Sequence, residues 1–185
     1  MYDNHVTLHQ TLLKNYDPLV TPTKTGSGTV SVSMIMYLQN VERFDESAHT
    51  LCSLVSWDVY WKDAHMSWNE TEYNGVNSLY MKASTVWMPD IFIINHAVED
   101  QRLEWEDDIL QVWSSGDVIW ITMRKLDTIC EVNVQAYPFD IQKCHIELEG
   151  WIHDIENVIL SYTYSYDTPN SAWEVKSVST SPYTE

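Results

Sequence analysis

The chain has 185 residues, 44 % of them hydrophobic, with nine tryptophans and only five glycines. That composition argues against a disordered, collagen-like or low-complexity chain and allows one domain with a real core. A formal charge of −17, with ten Lys and Arg against 27 Asp and Glu, argues against nucleic acid or an anionic membrane as partner, because phosphate contacts need basic side chains. The acidic field attracts cations, or serves solubility alone.

The first ten residues, "MYDNHVTLHQ", carry no basic region followed by an apolar one, and no apolar run approaches the ~20 residues of a membrane helix. Asp3 or Asn4 is a cap for one amphipathic helix over residues 4–14, with Leu8 and Leu12 on one face and Pro18 as the stop. His5 and His9 are four apart, a chelating spacing. With no third ligand nearby, a solvated face is the better reading, and no metal is expected.

After the turn "TPTKTGSGT" the period changes to two. Val30, Val32, Met34, Met36 and Leu38 alternate with mostly polar neighbours, and Leu51, Val55, Trp57, Val59 and Trp61 do so again. Cys52 sits in the apolar "HTLCSLVSW" and reads as a small buried hydrophobe, since no His or Asn context supports a catalytic thiol. Asn69-Glu70-Thr71 is a glycosylation sequon in an expected surface loop. The acidic run "EDQRLEWEDD" lacks the ligand spacing of a calcium loop and reads as solvated.

Strand patterns recur in "DVIWITMRK", "KCHIELEGW", Val158 to Tyr166 and "AWEVKSVS", punctuated by turns such as "NGVN" and "SSGD". The expectation is all-β: an antiparallel β-sandwich with one N-terminal helix, no internal repeat and no second domain. No catalytic constellation is present: no G-x-S-x-G, no H-E-x-x-H and no phosphate loop, so no enzyme and no cofactor are expected.

Two of the three cysteines bracket "CEVNVQAYPFDIQKC", Cys130 to Cys144, with the apolar cluster Tyr137-Pro138-Phe139 between them. Exposed aromatics gain nothing from water, so this loop either folds back on its domain or is held out for another surface. If the two cysteines pair, Cys52 is left free. Closing that loop would then be worth about 3 kcal/mol of unfolded-state entropy and would point to an oxidising, extracellular compartment. In "KCHIELEGWIHD", Cys144, Ile146, Leu148 and Ile152 form the apolar face. Trp151 falls on the other face, among His145, Glu147, Glu149 and His153. An indole there is either packed under a loop or offered to a ligand, and its ring face attracts cations by about 0.5–2 kcal/mol.

Cys-x13-Cys containing "YPFD" resembles the signature loop of the Cys-loop, or pentameric ligand-gated, receptor family. "WKDAHMSWNETEYNGV", "VWMPDIFIIN" with its W-x-P-D motif, "SSGDVIW" and "EGWIHD" match that family in order, over nearly the whole chain. The resemblance implies an extracellular ligand-binding domain over residues 1–185: a helix above about ten strands, in a homo- or hetero-pentamer. A small molecule would bind between subunits, and the receptor's own transmembrane domain would lie below. The Cys130–Cys144 disulfide would hold Tyr137, Pro138, Phe139 and Asp140 against that membrane domain, placing the chain at the extracellular side of the cell membrane. "SPYTE" resembles the close of the capping loop, so one last strand is expected to be absent. The implied alternative is a secreted soluble binder resembling acetylcholine-binding protein, whose version of the loop is usually shorter and more polar.

Carried over position by position, the central box tryptophan is Trp151, and Tyr183 supplies the capping-loop aromatic. The usual box tyrosine falls at Ile94, and the facing tryptophan of the neighbouring subunit at Ser56. Trp57 points to the opposite side of its strand. The remaining complementary positions are Gln111, Ile119 and Ile121. An aromatic cage reduced in this way should be a poor acetylcholine site, suited to a different amine or a larger apolar ligand.

Overall fold

The computed structural model describes residues 2–24, 28–98, 107–137, 139–150 and 156–164. Helix α1, Tyr2–Leu13, lies close to its expected span. Leu8 is fully buried against Val76 and Leu79, and Leu12 joins this small cluster to the main core. The stripe expected from the i, i+4 spacing is the one that docks the helix.

Eight strands follow: β1 Val30–Asp45, β2 Thr50–Ser67, β3 Ser78–Lys82, β4 Ile91–Ile93, β5 Ile109–Trp113, β6 Ser115–Ile129, β7 Leu148–Gly150 and β8 Val158–Tyr164. Six form one sheet in the order β3-β5-β6-β2-β1-β8, and β4 pairs with β7 in a second. The core lies between them. Trp57 and Val59 of β2 and Trp120 of β6 meet Ile91 and Ile93 of β4 and Leu148 of β7, and Trp61 packs edge-on against Trp87 at 6.1 Å. The inward residues of β1 are Val30, Val32, Met34 and Met36, as period two requires.

Two expectations need correction. The pairing is antiparallel except at one edge, where β8 runs parallel to β1 with Val30 opposite Val158 and Met36 opposite Tyr164. The chain reaches β8 from β7, which belongs to the other sheet, so no tight hairpin forces opposite directions. Of the strand expected over residues 143–151, only Leu148–Gly150 is laddered among the described residues, which exclude Trp151. Cys144 and Ile146 still face inward with Leu148, but residues 145 and 147 bond to the segment after β4 rather than to a neighbouring strand. The expected strand "AWEVKSVS" lies outside the described residues.

Both turn signals hold. Asn74 and Gly75 adopt positive φ in "NGVN", and Gly116 does so in "SSGD". At Gly116 a Cβ would come within 2.5 Å of the Asp63 carbonyl oxygen, so the residue is required by space as well as by conformation.

Candidate functional site: an outward sheet face and a disulfide loop

Ser56, Gln111, Ile119 and Ile121 come together on the outward face of the six-stranded sheet. Gln111 of β5 stands opposite Ile119 of β6, and Ile119 opposite Tyr60 of β2. One step along, Ile121 faces Asp58, and Met123 faces Ser56. Ser56 is buried and accepts a 2.7 Å hydrogen bond from Gln39 Nε2. Its neighbour Trp57 is sealed in the core, so it supplies nothing to this surface.

The sequence reading missed several members of this face. Tyr80 stands opposite Gln111 and is 69 % exposed; Ile109 and Met123 are also exposed. All lie an even number of residues from an assigned position on their own strand or opposite one across the ladder, which is the signal that could have found them. Asp58 is the acidic member. Partial burial, then the Asp58 carboxylate, holds the Tyr37 and Tyr60 phenols above their ordinary range. The face is largely apolar, with the hydroxyls of Ser56, Tyr60 and Tyr80, the Gln111 amide and the Asp58 carboxylate, a surface suited to an apolar or cationic group.

Ile94 lies elsewhere. It follows β4, is half-buried, and donates its N–H to Glu147 O at 2.9 Å. Gly150, the last described residue before Trp151, pairs with Ile91 of β4. Between this second sheet and the outward face of the first stands the core, so one chain does not bring Ile94 to Ser56, Gln111, Ile119 and Ile121. Trp151 and Tyr183 lie outside the described residues.

Cys130 and Cys144 form a disulfide, and both are buried with Leu51. Cys52 is a buried free cysteine, as its apolar setting suggested. Beyond the bridge the loop turns outward, leaving Tyr137 74 % and Phe139 88 % exposed. Its shape is internally held. Gln142 accepts from Asn133 N at 2.8 Å, donates to Asn133 O at 3.0 Å and reaches Asp140. Phe139 N closes a turn onto Ala136 O at 2.8 Å. Pro138 lies outside the described residues.

Asn69 is exposed and caps the short 3-10 turn Glu70–Tyr73, its Oδ1 accepting from the Thr71 amide and hydroxyl. His5 and His9 line a groove of about 330 Å³ with Tyr80 and Leu79, but among the described residues no three metal-ligating side chains gather. Most of the acidic run lies outside the described residues; its last member, Asp108, is engaged by Arg124 at 2.8 Å and by the Trp120 indole N–H at 2.8 Å. Among the described residues, no helix is long and apolar enough to cross a membrane.

The family described as "Neurotransmitter-gated ion-channel ligand binding domain" matches residues 5–185. The human neuronal acetylcholine receptor subunit beta-4 is 28 % identical over 165 residues, 86 % of this chain and 33 % of that protein. Ligand-gated ion channel 4 of Caenorhabditis elegans is 28 % identical over 155 residues, 83 % of this chain and 24 % of its own. The human acetylcholine receptor subunit epsilon is 26 % identical over 178 residues, 96 % and 36 % respectively. The chain thus spans roughly a third or less of the length of the first two of these. With a match that runs over almost every residue, and a sandwich and disulfide loop of the expected form, the chain belongs to the neurotransmitter-gated ion-channel ligand-binding domain family.

Proposed function

We propose that this chain is the extracellular ligand-binding region of a pentameric ligand-gated ion channel, taking a small amine or apolar ligand between subunits. The observation that carries the reading is the separation within one chain. Ile94, just past β4, and the end of β7 lie at the second sheet, while Ser56, Gln111, Ile119 and Ile121 cover the outward face of the first. Two such half-sites meet when neighbours pack around a ring, and a ring is the commonest way for a head-to-tail contact to close.

In that pocket Trp151 supplies the indole face for a cation, and Tyr183 the capping aromatic. Ile94 and Ser56 remove two aromatic walls, while Ile119, Ile121 and Met123 offer apolar surface and Asp58 a nearby negative charge. The relatives named as acetylcholine receptor subunits therefore indicate the site's position more than its ligand. Tyr137, Pro138, Phe139 and Asp140 pass motion from the pocket to the membrane domain of the full-length protein. Asn69, exposed on its turn, carries a glycan on the extracellular side of the membrane.

A secreted binder of the same fold is the rival. The exposed Tyr137 and Phe139 favour the channel, because an apolar tip facing water is unfavourable unless another surface covers it. The test is sedimentation followed by calorimetry with acetylcholine and with larger aromatic amines. A pentamer that binds an aromatic amine more tightly than acetylcholine, with binding abolished by Trp151→Ala, is the expected result. A monomer with no such binding overturns the proposal.

A further inference from the structure

We infer that Asn95 is a positioning residue that locks the pocket wall at Ile94 to both arms of the disulfide loop, so that a change at one end is felt at the other. The inference rests on the reading of Ile94 as a pocket wall given above. Every polar group of the Asn95 side chain is engaged across the gap between two segments far apart in sequence. Nδ2 donates to Ile129 O at 3.2 Å and to His145 O at 2.8 Å, and Oδ1 accepts from Glu147 N at 2.9 Å. Ile129 precedes Cys130, and His145 follows Cys144.

The backbone completes the clamp. Ile129 N donates to Asn95 O at 2.7 Å, and Ile94 N donates to Glu147 O at 2.9 Å. A primary amide has two N–H donors and an oxygen acceptor, and only one orientation satisfies two carbonyls and one N–H. The flipped amide would set its oxygen against both carbonyls. Aspartate would do the same on its donor side, and alanine would leave all three backbone groups without this partner. The requirement is for asparagine at a position where the ladder has ended: among the described residues no strand pairs with 145–147, and the Asn95 side chain meets their backbone groups instead. The β4–β7 ladder ends at Ile93 and Leu148, so past it the Asn95 amide is the side-chain link that ties the wall to both arms of the loop at once, beside the backbone bonds of Ile94 and Asn95.

The test uses the full-length protein without ligand and reads hydrogen exchange of the Tyr137 and Phe139 amides. These amides close the loop's own turns and make no bond to Asn95. Ile94→Tyr is introduced with Asn95 present, and again in Asn95→Ala and Asn95→Asp backgrounds. With Asn95 in place, Ile94→Tyr should change loop exchange about threefold or more; in either background the change should fall below ~1.5-fold, since coupled openings respond together and independent ones do not. Asn95→Asp keeps the acceptor for Glu147 N, so it serves if Asn95→Ala does not fold. An Ile94 effect equally large without the amide, or none with it, overturns the inference. A residue that merely stabilised the loop would shift exchange by the same factor whatever stands at position 94. Because no ligand enters, failure to bind an amine would count against the proposed function and leave this result standing.

Discussion

Tyr16 Oη donates a 2.6 Å hydrogen bond to Asp63 Oδ2 and accepts one from Trp87 N at 2.9 Å. One phenol after the helix thus fastens the buried carboxylate of β2 to the segment leading into β4. Burial raises Asp63 above the usual carboxylate range despite this bond and that from His65 N. The sign follows: the neutral acid is favoured in the fold, so stability is greatest below the ordinary carboxylate value and is lost as pH rises toward the raised one. Tyr16→Phe leaves the carboxylate without its phenol and should cost about 1–3 kcal/mol. Denaturant midpoints should show that cost growing from acid to neutral pH; a pH-independent loss would mean the bond matters only as packing.

Gly116→Ala combines a disfavoured φ of 83° with a Cβ 2.5 Å from a backbone oxygen that cannot swing away. The expected loss exceeds the ~1 kcal/mol typical of glycine replacement at positive φ, because strand β2 must shift as well. Thermal unfolding measures it. Gly75→Ala, at positive φ but with open space around it, provides the comparison and should cost less.

Cys130→Ser or Cys144→Ser should lower stability by about 2–5 kcal/mol, the range for removing a native disulfide from a secreted domain. Chemical denaturation checks this. Labelling of Cys52 by a thiol reagent, blocked by burial in the native chain, should accelerate in the same variants because Cys52 adjoins Leu51, which packs against the bridge.

Phe139→Ser should leave stability within about 0.5 kcal/mol, as expected of an exposed side chain. In the full-length protein, if it is the channel proposed above, the substitution should nonetheless reduce ligand-evoked current while ligand binding persists. Equal loss of binding would place Phe139 in the pocket's support rather than at a membrane-facing contact.

On the proposed pocket, Ile94→Tyr adds one aromatic wall to that of Trp151. Acetylcholine affinity should rise by about 0.5–2 kcal/mol, roughly two- to thirtyfold, the range for one added cation–π face. Calorimetric titration of the pentamer decides it. No gain would mean that the wall lies too far from the indole to share a cation.

Much of the fold was legible in local pattern. The inward residues of β1 and β2, the opposite fates of Ser56 and Trp57, the two turns and the helix face all follow from periodicities of two and 3.6. The parallel β1–β8 edge was not legible, because strand direction depends on the route the chain takes between sheets. Nor were the Tyr16–Asp63 and Asn95 bonds, which join residues 47 and 34 or more positions apart, or the capture of Asp108 by Arg124. Trp151 and Tyr183 lie outside the described residues, and their place in the pocket is read from sequence alone.

By itself the sequence determined which side of each strand a residue faces and what the disulfide loop encloses, since both are properties of a few neighbouring peptide units. Only the tertiary structure decided which strands lie side by side. That choice, made by burial of apolar surface over long separations, set Tyr80, Ile109 and Met123 beside Ile119 and Ile121 and put the core between them and Ile94.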